Sequence, residues 1–191
     1  TLWHTLSLHD ALPISSTIDI GFSRERFHPG THICLVFRDE LERRRIVAKF
    51  LQGGLSEGEK VLYFADAAEP SEVISWLEEC GLELPEAAPD GETEPLFTPL
   101  GAAETYYPDG TFDPDRMCDT LRSTYTRYRE EGYPNSRVTG EMSWALREVP
   151  GAERLIEYEA KINDVVRTHP VTAMCQYDAN RFSGETIFKA L

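Results

Sequence analysis

The sequence predicts a three-layer α/β fold: a mostly parallel sheet of about five strands flanked by helices. Three features predict it. Short apolar runs alternate with stretches whose apolar residues recur at helical spacing, and repeated strand–helix units of this kind build parallel sheets. Gly and Pro punctuate the joints between these units. Two of the apolar runs, within 137–146 and 173–182, lead into polar and aromatic residues. Strands that deliver such residues to the carboxyl edge of an open sheet build ligand crevices there.

Residues 1–14 stand outside the pattern. Thr5-Leu-Ser-Leu-His-Asp-Ala-Leu-Pro-Ile14 reads as translated sequencing-adapter DNA, and the lack of an initiator Met fits a gene read from the ragged end of a DNA fragment. The segment is not patterned as a secretory signal: no Lys or Arg precedes its apolar residues, and His9 and Asp10 interrupt them. Residues 15–26 are expected to form an N-terminal tail, and 27–191 the folded domain.

The first strand is the apolar run 32–37. Asp39-x-x-Glu42 then has the spacing of a capping box, and Val47, Phe50, Leu51 and Leu55 follow in helical phase, with Gly53-Gly54 expected to stop the helix. The second strand is 61–65. Pro70 opens a helix with Val73, Ile74 and Leu77 on one face, closed by Gly81. Residues 83–95, rich in Pro, Glu, Ala and Asp, read as a surface loop. A weak third strand, 96–100, is bracketed by Pro95 and Pro99. Asp113-Pro114 starts a helix with Met117, Leu121, Tyr125 and Tyr128 on its buried stripe, ending at Gly132. The fourth strand is 137–142. Pro150-Gly151 precedes a helix with Leu155, Tyr158, Ile162 and Val165 in phase. The fifth strand is 171–177, and 182–191 begins a last helix, cut short if the chain is truncated at Leu191.

Composition bounds the function. The formal charge of −14 becomes −13 without Asp10, the one ionised residue of 1–14. An acidic surface repels phosphate backbones, so this segment is not expected to bind nucleic acid directly. No apolar run approaches the roughly 20 residues of a membrane span. The four cysteines, Cys34, Cys80, Cys118 and Cys175, form no C-x-x-C pair and have no His at zinc-finger spacing, which suits a reduced, cytoplasmic chain. Neither a metal nor a cofactor is expected.

Gly53-Gly-Leu-Ser-Glu-Gly-Glu-Lys60 nearly spells a phosphate-binding loop, but Glu59 intrudes before Lys60 and no Ser or Thr follows. Its context is also inverted, since it leaves a helix and enters a strand. The sharper polar residues are Glu141 and Asp178, each at a strand end, with Asp66 able to join them on one edge. Each alone could cap a helix; together they predict a pocket. Gln176 adds an amide there, and Trp144 and Tyr177 are expected to form its wall, with an apolar body and one hydrogen-bonding atom each. Cys34 and Cys175, in mid-strand, read as buried inert thiols, and His32 as a structural histidine at the opposite end of its strand. Ser143 has no His partner in sight and Gly140-Glu-Met-Ser143 is not a nucleophile elbow, so no catalytic residue is assigned.

His32-Ile-Cys-Leu-Val-Phe37, Gly54-Leu-Ser-Glu-Gly-Glu59 with its following strand, Gly140-Glu-Met-Ser-Trp144, Glu157-Tyr-Glu-Ala-Lys-Ile-Asn163 and Cys175-Gln-Tyr-Asp178 with Arg181-Phe182 together resemble the MEDS domain, a methanogen and methylotroph sensory domain. The resemblance spans 27–191. It implies a RecA-like fold without its phosphate loop, serving as a small-molecule-sensing input to a histidine-kinase, anti-sigma or helix-turn-helix output in a bacterial or archaeal regulator. Two alternatives are an α/β enzyme using Glu141 or Asp178 as a base, and an anti-sigma-type protein-interaction module.

Overall fold

The computed structural model describes residues 17–84 and 94–191. Residues 1–14 and most of the proline- and acid-rich loop lie outside them. In chain order the elements are an antiparallel pair β1 (Ile18–Asp19) and β2 (Arg26–Phe27), then β3 (His32–Phe37), α1 (Glu40–Ser56), β4 (Lys60–Ala65), α2 (Pro70–Glu79), β5 (Phe97–Gly101), α3 (Ala102–Tyr106), α4 (Pro114–Glu130), β6 (Ser136–Glu141), a 3-10 turn Met142–Leu146, a second at Ala152–Arg154, α5 (Leu155–Thr168), β7 (Thr172–Asp178) and α6 (Gly184–Ala190). The five main strands form one parallel sheet in the order β3-β7-β6-β4-β5. The fold is therefore the expected α/β sandwich of three layers. Within the predicted tail, Ile18 and Ile20 are buried beside Val47, Phe50 and Leu51 of α1.

Strand periodicity divides the interior into two cores. Val61, Tyr63, Ala65 and Met174 face α1 and α2, meeting Val47, Phe50, Leu51, Val73, Trp76 and Leu77. Leu62, Phe64, Val138, Ala173, Cys175 and Tyr177 face the other way, against Met117, Leu121, Tyr128, Tyr158, Ile162 and Val165 of α4 and α5. The weak third strand is real and lies at the sheet's edge, the one place where Pro99 costs no ladder bond on its outer side. Asp39 caps α1, its Oδ1 accepting from the Glu42 amide at 2.7 Å, and Asp113 caps α4 in the same way through the amides of Asp115 and Arg116.

Gly53-Gly54 does not stop α1, which continues to Ser56. The two glycines instead clear space for a side chain arriving from the sheet. A Cβ on Gly54 would lie 2.8 Å from Arg137 Nε and 2.9 Å from Glu59 Oε2, and one on Gly53 would lie 2.9 Å from Arg137 Nη1. Arg137 thus reaches the helix backbone, donating to the Phe50 carbonyl at 2.6 Å and to Glu59 Oε2 at 2.7 Å. Gly54→Ala should lower stability by about 1–3 kcal/mol through overpacking, although alanine is the better helix former; the shift in urea midpoint reads this directly.

Candidate functional site

The carboxyl ends of β3, β4, β6 and β7 converge on a cavity of about 70 Å³. Phe37 closes it from the end of β3, Ala67 from the turn after β4, Glu141 and Ser143 from the end of β6, and Gln176 and Asp178 from β7, with Glu40 and Arg43 from the first turns of α1 and Arg181 at the mouth. Register explains the gathering. Phe37 lies level with Asp178 and Glu141 with Gln176 on neighbouring parallel strands, and side chains at matched positions project to the same face.

Arg43 organises the floor. It is buried, and its Nη1 donates to Tyr63 Oη (2.9 Å), Glu141 Oε1 (3.1 Å) and Gln176 Oε1 (2.7 Å), while Nε and Nη2 clamp the half-exposed Glu40 carboxylate at 2.8 and 2.5 Å. Phe37 and Trp76 present ring faces to the guanidinium at 5.5 and 5.4 Å. Burial opposes charge on Arg43, but Tyr63 and the carboxylates of Glu40 and Glu141 outweigh it and hold its pKa above the ordinary value. Burial, reinforced by the Glu141 charge, pushes the Tyr63 hydroxyl well up, so it remains a donor. Gln176 is oriented from its other end, where Nε2 donates to Thr139 Oγ1 at 2.8 Å.

Glu141 joins this floor to the neighbouring loop. Its Oε1 accepts from Tyr63 Oη at 2.5 Å and from Arg43, and its Oε2 accepts from the backbone amides of Asp66 (2.9 Å) and Ala67 (2.6 Å). One carboxylate therefore holds α1, β4 and the turn into α2 together.

The structure brings Glu141, Gln176 and Asp178 to the cavity but sends the other three expected residues elsewhere. Tyr177 lies between Gln176 and Asp178 on a strand, so it points to the opposite face. It is fully buried against α5, with its hydroxyl donating to Glu159 Oε1 at 2.6 Å. Trp144 is carried by the 3-10 turn into the same α4–α5 core, also fully buried, stacked on Tyr106 at 4.9 Å and packed on Phe112 at 4.5 Å. Gly140 makes that stack possible: a Cβ there would lie 2.0 Å from Tyr106 Oη. The pocket wall is instead Phe37 with the guanidinium of Arg43. Asp66 turns its side chain to Ser143 Oγ (2.6 Å) and Arg147 Nη2 (2.8 Å), and contributes to the site through its backbone amide. The sequence reading missed Arg43. Its signal was present, since Arg43 stands four residues before Val47 on the buried stripe of α1.

Lys60 lies at the opposite end of the sheet. Its Nζ is buried, donating to the carbonyls of Glu94 and Pro95 and sitting over the Tyr133 ring at 4.7 Å. Where a phosphate loop would join β3 to α1, the chain has Arg38 and the capping Asp39, followed by Glu40. ATP with magnesium should therefore give no thermal shift at micromolar concentration; a shift that disappears in Lys60→Ala would contradict this.

The profile of the family described as "MEthanogen/methylotroph, DcmR Sensory domain", MEDS, matches residues 31–191. The chain belongs to the MEDS family. It is 26% identical over 163 residues to the transcriptional repressor DcmR of Methylorubrum extorquens, an alignment covering 84% of this chain and 56% of that protein. The chain thus spans little more than half the length of that curated relative. Among solved structures, the flagellar accessory protein FlaH from Methanocaldococcus jannaschii superposes with a TM-score of 0.59 at 11% identity, covering 84% of this chain and 68% of its own. A KaiC-like protein from Pyrococcus horikoshii OT3 follows at a TM-score of 0.48 and 17% identity, covering 80% and 63%. The FlaH superposition and the five-stranded parallel sheet give this MEDS domain a RecA-like three-layer fold. No described helix is long and apolar enough to cross a membrane.

Proposed function

We propose that this MEDS domain is the small-molecule-sensing input of a regulator, with its ligand held in the cavity at the carboxyl edge of β3, β6 and β7. The observation that carries this reading is the Arg43–Glu141 network on the cavity floor. A molecule that touches Arg43 or Gln176 is linked through Glu141 to the amides of Asp66 and Ala67. A ligand signals only through different affinity for two states; here it would favour one arrangement of the turn before α2, which an attached output region could read. The repressor DcmR supports a transcriptional output for the whole protein, with kinase and anti-sigma outputs as the other forms.

The cavity is about 70 Å³, roughly half the size of an engineered cavity of about 150 Å³ that takes benzene. The ligand is therefore a small polar organic molecule of few non-hydrogen atoms, or a somewhat larger one that displaces Glu40 and Arg181 at the rim. Glu141 is engaged by donors on both oxygens, which suits a fixed anion better than a base.

Tryptophan emission tests this reading. Trp76 lies under Arg43 and should report ligand entry, whereas Trp144 is sealed in the other core. Titration with short-chain carboxylates, amides, amines and alcohols should change emission saturably in Trp144→Phe and leave it unchanged in Trp76→Phe. A response that needs Trp144 instead would reject the site.

A further inference from the structure

On the far face of the sheet, under α5, three residues from three separate elements bring metal-binding atoms together. The donor atoms of His32 (β3), Cys175 (β7) and Glu159 (α5) all lie within 4.8 Å of one another, with Glu159 and Cys175 buried. Their supports fix which atoms are offered. Asn163 Nδ2 donates to the Glu159 carbonyl at 3.0 Å, so its Oδ1, 3.1 Å from His32 Nδ1, accepts a hydrogen bond from that nitrogen. In a neutral imidazole this leaves the lone pair on Nε2. Tyr177 Oη donates to Glu159 Oε1, which leaves Oε2 as the other acceptor.

The two remaining atoms, His32 Nε2 and Glu159 Oε2, are 3.2 Å apart with side chains at least nine-tenths buried, and beyond this contact with each other neither has a hydrogen-bond partner among the described residues. Two buried acceptors facing each other need a cation between them or a proton on one of them. The adjacent Cys175 sulfur decides which cation would suit, because an imidazole, a thiolate and a carboxylate form a donor set for a borderline divalent metal such as zinc. We infer that His32, Cys175 and Glu159 form a binding site for a zinc-type divalent cation. Asn163 and Tyr177 orient its ligands, and Cys34 lies in register with Cys175 on the neighbouring strand. On binding, the Cys175 thiol loses its proton to solvent. The metal ties β3 and β7 to α5, and so is separate in space and chemistry from the cavity at the carboxyl edge.

The test uses the full chain, purified without chelator and titrated with zinc and with cobalt(II). The expected result is a single equivalent of zinc retained after dialysis and a sulfur-to-cobalt charge-transfer band. That band should be lost in Cys175→Ser and in His32→Ala. Asn163→Ala alters only an orienting residue on a helix surface, so the folded domain is kept; zinc affinity should fall about 10-fold or more, as for other outer-shell partners. Folded wild-type protein that retains no zinc and gives no sulfur-to-cobalt band would overturn the inference, and His32 and Glu159 would then be a proton-bridged ion pair. Zinc binding of unchanged affinity in both Cys175→Ser and His32→Ala would also overturn it, assigning the metal to another part of the chain.

Discussion

Replacing Glu59 with alanine is expected to destabilise the domain by about 3–5 kcal/mol, the cost of leaving a buried charge without its partner. Arg137 is 0% exposed and Glu59 1%. Once the carboxylate is gone, the Phe50 carbonyl is the one acceptor left to the guanidinium among the described residues. The pair itself is not strongly favourable. Arg137 Nη2 and Glu59 Oε1 have no hydrogen-bond partner among the described residues, and burial pushes the Glu59 carboxyl above its ordinary range despite the attraction of Arg137. Arg137→Met combined with Glu59→Leu should therefore recover most of the loss. Urea unfolding of the single and double variants measures both effects. A double variant as unstable as Glu59→Ala would show that the two glycines of α1 have no tolerance for an apolar replacement.

Glu141→Gln should cost about 2–4 kcal/mol, because the amide replaces one acceptor oxygen with a donor. Either Arg43 and Tyr63, or the amides of Asp66 and Ala67, would then face another donor. The amide nitrogen is expected to turn toward the loop, where the backbone yields more readily than buried Tyr63. Hydrogen exchange at Asp66 and Ala67 should rise well beyond the global change, while exchange in β7 follows global stability. Uniform acceleration across the sheet would mean that Glu141 acts on the whole core and not through the turn before α2.

The architecture was legible because nearly every element carries its own local signal. The caps at Asp39 and Asp113 and the phased residues of α4 and α5 place those helices, and even the proline-flanked β5 was readable as a weak strand, although its place at the sheet's edge was not. The error at Gly53-Gly54 has a different origin. Paired glycines end helices when nothing else decides, but here a buried arginine from β6, remote in sequence, needs their missing side chains. The cavity was legible in part. Glu141, Gln176 and Asp178 stand at strand ends and were found by that rule. Applying the two-residue period within β7 would have removed Tyr177, which alternates with Gln176 and Asp178. Trp144 was unreadable in this way, since only the 3-10 turn after β6 decides its direction. The cluster of His32, Cys175 and Glu159 escapes local patterns altogether, because its members come from two strands and a helix.

The central claim is that small molecules bind where β3, β6 and β7 end. Protein-observed NMR with a library of small polar fragments tests it most directly. The account predicts that saturable shifts cluster at Phe37, Arg43, Ala67, Ser143, Gln176 and Asp178, and that Arg43→Met removes them. Fragment binding confined to the groove between β5 and α4, bordered by Leu62, Leu100 and Tyr128, would contradict it, as would shifts at the carboxyl edge that survive in Arg43→Met.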